Sequence, residues 1–267
     1  TRMALREYLK PSPHGIPVVT DRTERRGIIV ELVIVGVLTF AFSALSAALA
    51  LLEAQLAGGI GETTVALNPS RSDLGLIDAV RQIMGSLRLF AIAALGIYLL
   101  WRSGIGLSRV GLGRWTPRRD IPSGLVLAAV IGLPGLGLVA VARALGLNAS
   151  LVPSQADTWW EWPVLVLIAI GNAAAEEIVV VAYFITRLRQ LGVSDNASLA
   201  ASAILRGGYH LYQGFGGGLG NLVMGVVYGR FFQITGRVWP LVIAHAVIDV
   251  VAFVGYGLLR DHLSWVG

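Results

Sequence analysis

The chain is polar and basic for its first 27 residues and then alternates between long apolar runs and short polar connections. An apolar run of about 20 residues crosses the ~30 Å hydrocarbon core of a bilayer as a helix rising ~1.5 Å per residue. Seven such spans are expected: 28–52, 83–101, 121–145, 162–187, 197–212, 219–234 and 239–259. The fold class that follows is all-α, a polytopic transmembrane helical bundle of about seven spans. It divides into a basic cytoplasmic tail over 1–27 and a single membrane bundle over 28–260.

The breaks in the pattern refine this picture. Glu31 falls in the first turn of the first span, within reach of the headgroups, and Arg88 sits near the outer end of the second, close enough to snorkel. Pro134, inside the GLPGLG run at 132–137, is expected to kink or loosen the third span, because proline removes a backbone hydrogen bond. Trp159 and Trp160, with Asp157 and Glu161, read as an interfacial belt. The glycine run 214–220 resembles a phosphate loop only loosely. No strand precedes it, so it reads as a tight turn with close helix packing.

Composition agrees with the pattern. The chain is 55% hydrophobic and only 14% charged, with a mean hydropathy of +0.71. The formal charge of +5 does not signal nucleic acid, since the arginines cluster beside the spans as topology and headgroup contacts do. Basic loops alternate along the chain, which puts the N-terminus in the cytoplasm, with the plasma membrane as the expected location. Arg260 and His262 at the far end fit this orientation less well. There are no cysteines, which excludes disulfides, thiolate metal ligands and a cysteine nucleophile.

The fourth span carries Glu176 and Glu177 some ten residues from either end. A carboxylate at mid-membrane costs about 2.5–3.5 kcal/mol, so it needs a proton or a partner, and it marks a functional site by default. A structural hydrogen bond inside the bundle is the plainer explanation. Arg206 and His210 on the fifth span, and His245 and Asp249 on the seventh, are polar groups at a similar depth, each pair spaced i,i+4 on one helix face. If those faces converge, a carboxylate base, two imidazoles and a cation share one site. Such a set suits activation of water, with the histidines stabilising an oxyanion or binding a metal. The zincin His-Glu-x-x-His, a Gly-x-Ser-Gly and a second membrane aspartate are all missing. Hydrolysis at that depth also needs water, so the glycines of the third span and the 214–220 turn are expected to leave a gap to the aqueous phase.

In order and spacing, Glu176-Glu177, Tyr209-His210 and His245 with Asp249 resemble the motifs of the CPBP family, the CAAX protease and bacteriocin-processing (Abi) group, over about 162–255. The resemblance implies a helical-bundle intramembrane endopeptidase acting on a membrane-associated peptide or protein. It implies catalytic roles for Glu176, His210, His245 and Asp249, with Glu177 as neighbour. The cofactor stays open: a divalent metal such as zinc, held by Glu176, His210 and His245, or a glutamate-activated water without one. Implied partners are membrane lipid, the substrate and a membrane protein partner, with no nucleic acid.

Two positions depart from the family pattern. Its first motif reads Glu-Glu-x-x-x-Arg, and Val181 stands at the arginine; its second has an aromatic residue four before the histidine, where this chain has Arg206. Arg206 is expected to replace the lost partner of Glu177 through a bidentate contact, or else to snorkel to the surface. The rival functions are a catalytically inactive CPBP-like scaffold or assembly partner, and a proton-coupled transporter.

Overall fold

A computed structural model describes residues 15–113, 115–152 and 158–255. Among them are seven helical runs: α1 (Arg22–Leu56), α2 (Gly75–Arg102), α3 (Pro117–Ala144), α4 (Glu161–Gln190), α5 (Asp195–Tyr209), α6 (Phe215–Thr235) and α7 (Trp239–Val254). α1 to α4 are long and apolar enough to cross a membrane, and α7 is a shorter apolar helix. The protein is thus the expected helical membrane bundle. Most of the basic tail, Arg114, Asp157, the end of the seventh span, Arg260 and His262 lie outside the described residues.

Local chemistry sets the helix ends. The Asp21 carboxylate accepts from Glu24 N at 2.8 Å to start α1, and Ser194 accepts from Ala197 N to start α5. Glu161 takes the Thr158 amide at the head of α4. Gly236, at φ +62, closes α6 in the left-handed conformation that a side chain disfavours.

α1 and α2 begin earlier than the hydropathy pattern places them. α2 gains its first two turns because Asp78, 2% exposed, is satisfied inside the fold by Arg71 N and Gln82 Nε2. Glu31 is consequently not in the first turn of its helix. It sits well inside α1, bonded to Arg187 and Tyr183 of α4. α3 runs through Pro134 without interruption. Two three-residue strands that no pattern announced, β1 (Thr64–Ala66) and β2 (Ser150–Val152), pair in parallel.

α4 is the axis of the bundle, 72% buried over its apolar window against 11–22% for α1 to α3. It packs along α2 and α7, and glycines permit the approach: a Cβ on Gly96 or Gly171 would meet Val179 or Leu89 at 3.0–3.3 Å. α5 and α6 form the closest pair, with Gly225 against Ala203 and Gly229 against Leu199. One end of the bundle is basic, where Arg237 pairs with Asp120 and Arg189 with Asp195. β1, β2 and the turn at Gly214 gather at the other.

Candidate active site

Glu176 is 15 residues from the start of α4 and 14 from its end, so at ~1.5 Å per residue it lies about 21–23 Å from either. The α-helix gives way to a π-helix at Glu177–Tyr183. The wider turn changes the angular offset between successive side chains, and such segments recur at functional sites. Both carboxylates face inward, Glu176 3% and Glu177 0% exposed.

Arg206, in the last turn of α5, is also wholly buried. Its Nη2 donates to Glu177 Oε1 and to Glu176 Oε2, the latter at 3.3 Å. Arg206 therefore does not snorkel; it is the cation between the two acids. The expected bidentate contact is replaced by one nitrogen bridging two carboxylates, and Arg206 Nε and Nη1 and Glu177 Oε2 have no protein partner. The guanidinium lies 5.8 Å from the ring centroid of Tyr228 on α6, within cation–π range. Gly225 makes the burial feasible, since a Cβ there would stand 2.8 Å from Ala203 Cα and 3.5 Å from Arg206 Cδ.

Tyr209 donates its hydroxyl to Glu176 Oε2 at 2.6 Å. Both bonds to Glu176 fall on Oε2, and neither Tyr209 nor Arg206 engages Oε1. In the sequence Tyr209 stands out only as the neighbour of His210; the one further signal is an aromatic hydroxyl three residues after Arg206.

On α7, His245 Nδ1 lies 2.8 Å from Glu177 Oε1 and Nε2 lies 3.5 Å from Asp249 Oδ1. Asp249 in turn accepts from Asn172 of α4 at 3.0 Å. His245 is 3% exposed, whereas Asn172, Asp249 and His210 are half-buried. The structure therefore joins Glu176, Glu177, Arg206, His245 and Asp249 in one network. His210 makes no side-chain hydrogen bond to this network, though its ring lies against that of Tyr209 with centroids 4.6 Å apart. α5 ends at Tyr209, three residues sooner than expected, and His210 caps it with Nδ1 3.0 Å from the Arg206 carbonyl. That bond is a donation from Nδ1–H, which the protonated ring and one neutral tautomer both carry, and it leaves Nε2 as the ring's other polar atom.

The 214–220 glycines close the fold where a gap was expected. Gly214, at φ +107, pairs with Asn148, and a Cβ on Gly216 would stand 2.5 Å from Ala142 Cβ. Glycine backbone admits such approach, so these positions seal the turn.

The candidate metal donors do not fit an ion as arranged. Both His245 nitrogens face carboxylates, Glu176 Oε2 is taken by a tyrosine and a guanidinium, and among the described residues no three acid or imidazole groups cluster as a metal site.

A buried acid pair on the membrane-length helix α4, met by a buried cation from α5 and an imidazole from α7, points to an integral membrane protein with a buried polar centre. Residues 158–251 match the family model described as type II CAAX prenyl endopeptidase Rce1-like. The match covers α4, α5, α6 and most of α7, which carry the whole network, and it supports the resemblance to the CPBP family over that part of the chain. No curated protein and no solved structure matches the chain.

Proposed function

We propose that this protein is an intramembrane endopeptidase that hydrolyses a membrane-associated peptide or protein with a water activated by Glu176. The observation that carries the reading is the asymmetry of that carboxylate: Oε2 is held by Tyr209 and Arg206, while Oε1 takes neither bond. A carboxylate with one anchored oxygen keeps the other oriented for a water.

Glu176 Oε1 takes a proton from the water as its oxygen attacks the scissile carbonyl. In its protonated form His210 offers Nε2–H to the developing oxyanion, its ring held by the bond from Nδ1–H to the Arg206 carbonyl. Collapse breaks the C–N bond, and Glu176 returns its proton to the leaving amine, giving a carboxylate and a free amine. His245 and Asp249 assist from behind: His245 spans Glu177 and Asp249, and so fixes α7 against α4. Glu177 and Arg206 hold each other and steady Glu176. The half-buried His210, Asp249 and Asn172 mark the approach of the substrate.

The basic end of the bundle lies in the cytoplasm in this reading, with the N-terminus on that side and the plasma membrane as the site of action. A second reading, a catalytically inactive CPBP-like scaffold or assembly partner, is favoured by the near-complete burial of both acids and by Val181 at the family's arginine position.

The test is incubation of the purified full chain in liposomes with a lipid-anchored peptide, in ¹⁸O-labelled water. Hydrolysis by water places one ¹⁸O in the new C-terminal carboxyl of the product by mass spectrometry. An intact peptide across lipidated and unlipidated substrates would favour the scaffold.

A further inference from the structure

A second polar feature lies behind the acid pair, in the seam where α4, α5 and α6 meet. On α5, Ser198, Ser202 and Arg206 recur every four residues and are all buried. Ser202 Oγ donates to the Val180 carbonyl of α4 at 2.7 Å. Gln233 of α6 donates from Nε2 to the Asp195 carbonyl at 2.7 Å and to Ser198 Oγ at 3.4 Å. Tyr228, five residues earlier on α6, lies under the Arg206 guanidinium. The seam thus leads from Asp195 and Gln233 at the basic end to Glu177 at the centre.

Two observations say what occupies it. At the basic end a cavity of about 30 Å³, room for about two waters, has Asp195, Gln233, Arg189, Phe232 and Ile16 among its lining residues. Along the seam five buried polar atoms have no protein hydrogen-bond partner: Gln233 Oε1, Tyr228 Oη, Arg206 Nε and Nη1, and Glu177 Oε2. They comprise two acceptors, two donors and a hydroxyl that serves as either. That is the mixture a chain of waters satisfies, and a seam made only for packing would be apolar.

We infer that internal waters fill this seam and connect the basic face of the bundle to Glu177, hydrating the acid pair from the side opposite His210. The inference rests on the hydrolase reading for its purpose. With a substrate covering the His210 side, this seam is the route by which water and protons still exchange with the acids. The occupancy itself is independent of catalysis.

Hydroxyl-radical labelling by X-ray radiolysis of water, read residue by residue by mass spectrometry, tests it on the full chain in nanodiscs. Tyr228 and Tyr183 form a matched pair, since both are 0% exposed. Tyr183 spends its hydroxyl on Glu31 at 2.8 Å, whereas that of Tyr228 has no partner. Bound water beside Tyr228 predicts labelling several-fold faster than at Tyr183, and Gln233→Leu at the mouth should bring the two rates together. Equal, slow labelling of both tyrosines in the unmodified protein would overturn the inference. Repeating the labelling in Glu176→Gln separates the two readings. Fast Tyr228 labelling without any turnover in the unmodified protein sinks the protease alone. Turnover abolished by Glu176→Gln, with slow Tyr228 labelling throughout, sinks the water chain alone.

Discussion

Arg206 donates through Nη2 to Glu177 Oε1, and neither residue is exposed at all. Each charge is tolerable at that depth because the other is there. Removing one partner strands the other, at about 3–5 kcal/mol, whereas replacing both with apolar groups of similar volume is often close to neutral. Arg206→Met and Glu177→Gln should therefore each destabilise the protein strongly in detergent, and the double variant should cost clearly less than the two added together, the bond from Arg206 to Glu176 staying lost. Denaturation midpoints of the three variants give the coupling directly. Costs that simply add would mean the two charges are held by other groups.

This pairing shows how much the sequence disclosed. Val181 was legible as a lost charge only against the motif of the family that the chain resembles, and Arg206 because a charge in an apolar run stands out. The convergence of Glu176, Glu177, His245 and Asp249 was legible for the same reason. The arrangement of bonds was not, because it depends on the π-helix after Glu176 and on where α5 stops, and hydropathy carries neither. Glu31 was misplaced because its partner, Arg187, stands 156 residues away. The early start of α2 was missed because the satisfaction of Asp78 inside the fold is a tertiary fact.

Tyr209→Phe removes a 2.6 Å bond to Glu176 Oε2 and nothing else of size. A buried acceptor losing its donor costs about 1–3 kcal/mol. Turnover should fall with little change in KM, because the loss bears on the orientation of the base. A rise in KM at constant kcat would assign Tyr209 to substrate binding instead.

Glu31→Gln weakens the tie between α1 and α4, where Arg187 meets Glu31 through two bonds of 2.8 Å and Tyr183 adds a third. Because Glu31 is 24% exposed, the expected cost is nearer 1 than 3 kcal/mol. Limited proteolysis of the 57–74 connection should quicken, as α1 loosens from the bundle. Unchanged cleavage would show that apolar contacts alone hold α1.

Gly225 and Gly137 should respond oppositely to alanine. At Gly225 the new Cβ would stand 2.8 Å from Ala203 Cα, so α5 and α6 must part and the seat of Arg206 is lost. About 1–3 kcal/mol of destabilisation follows from such overpacking. A Cβ on Gly137 meets nothing within 4 Å, so alanine there should be neutral or stabilise by up to about 1 kcal/mol through helix propensity. Thermal midpoints in one detergent compare them. A Gly225→Ala protein as stable as the parent would deny the tight α5–α6 contact.

The most direct test of Glu176 as the base is the initial rate on a membrane-anchored, quenched fluorescent peptide by the parent protein and by Glu176→Gln, in the same nanodiscs. The amide keeps the shape and still accepts from Tyr209 through its carbonyl, but it cannot take a proton from water. The rate should fall by about 10²–10⁴-fold, with the thermal midpoint of the variant close to that of the parent. A folded Glu176→Gln protein that cleaves at the parent rate would contradict the assignment.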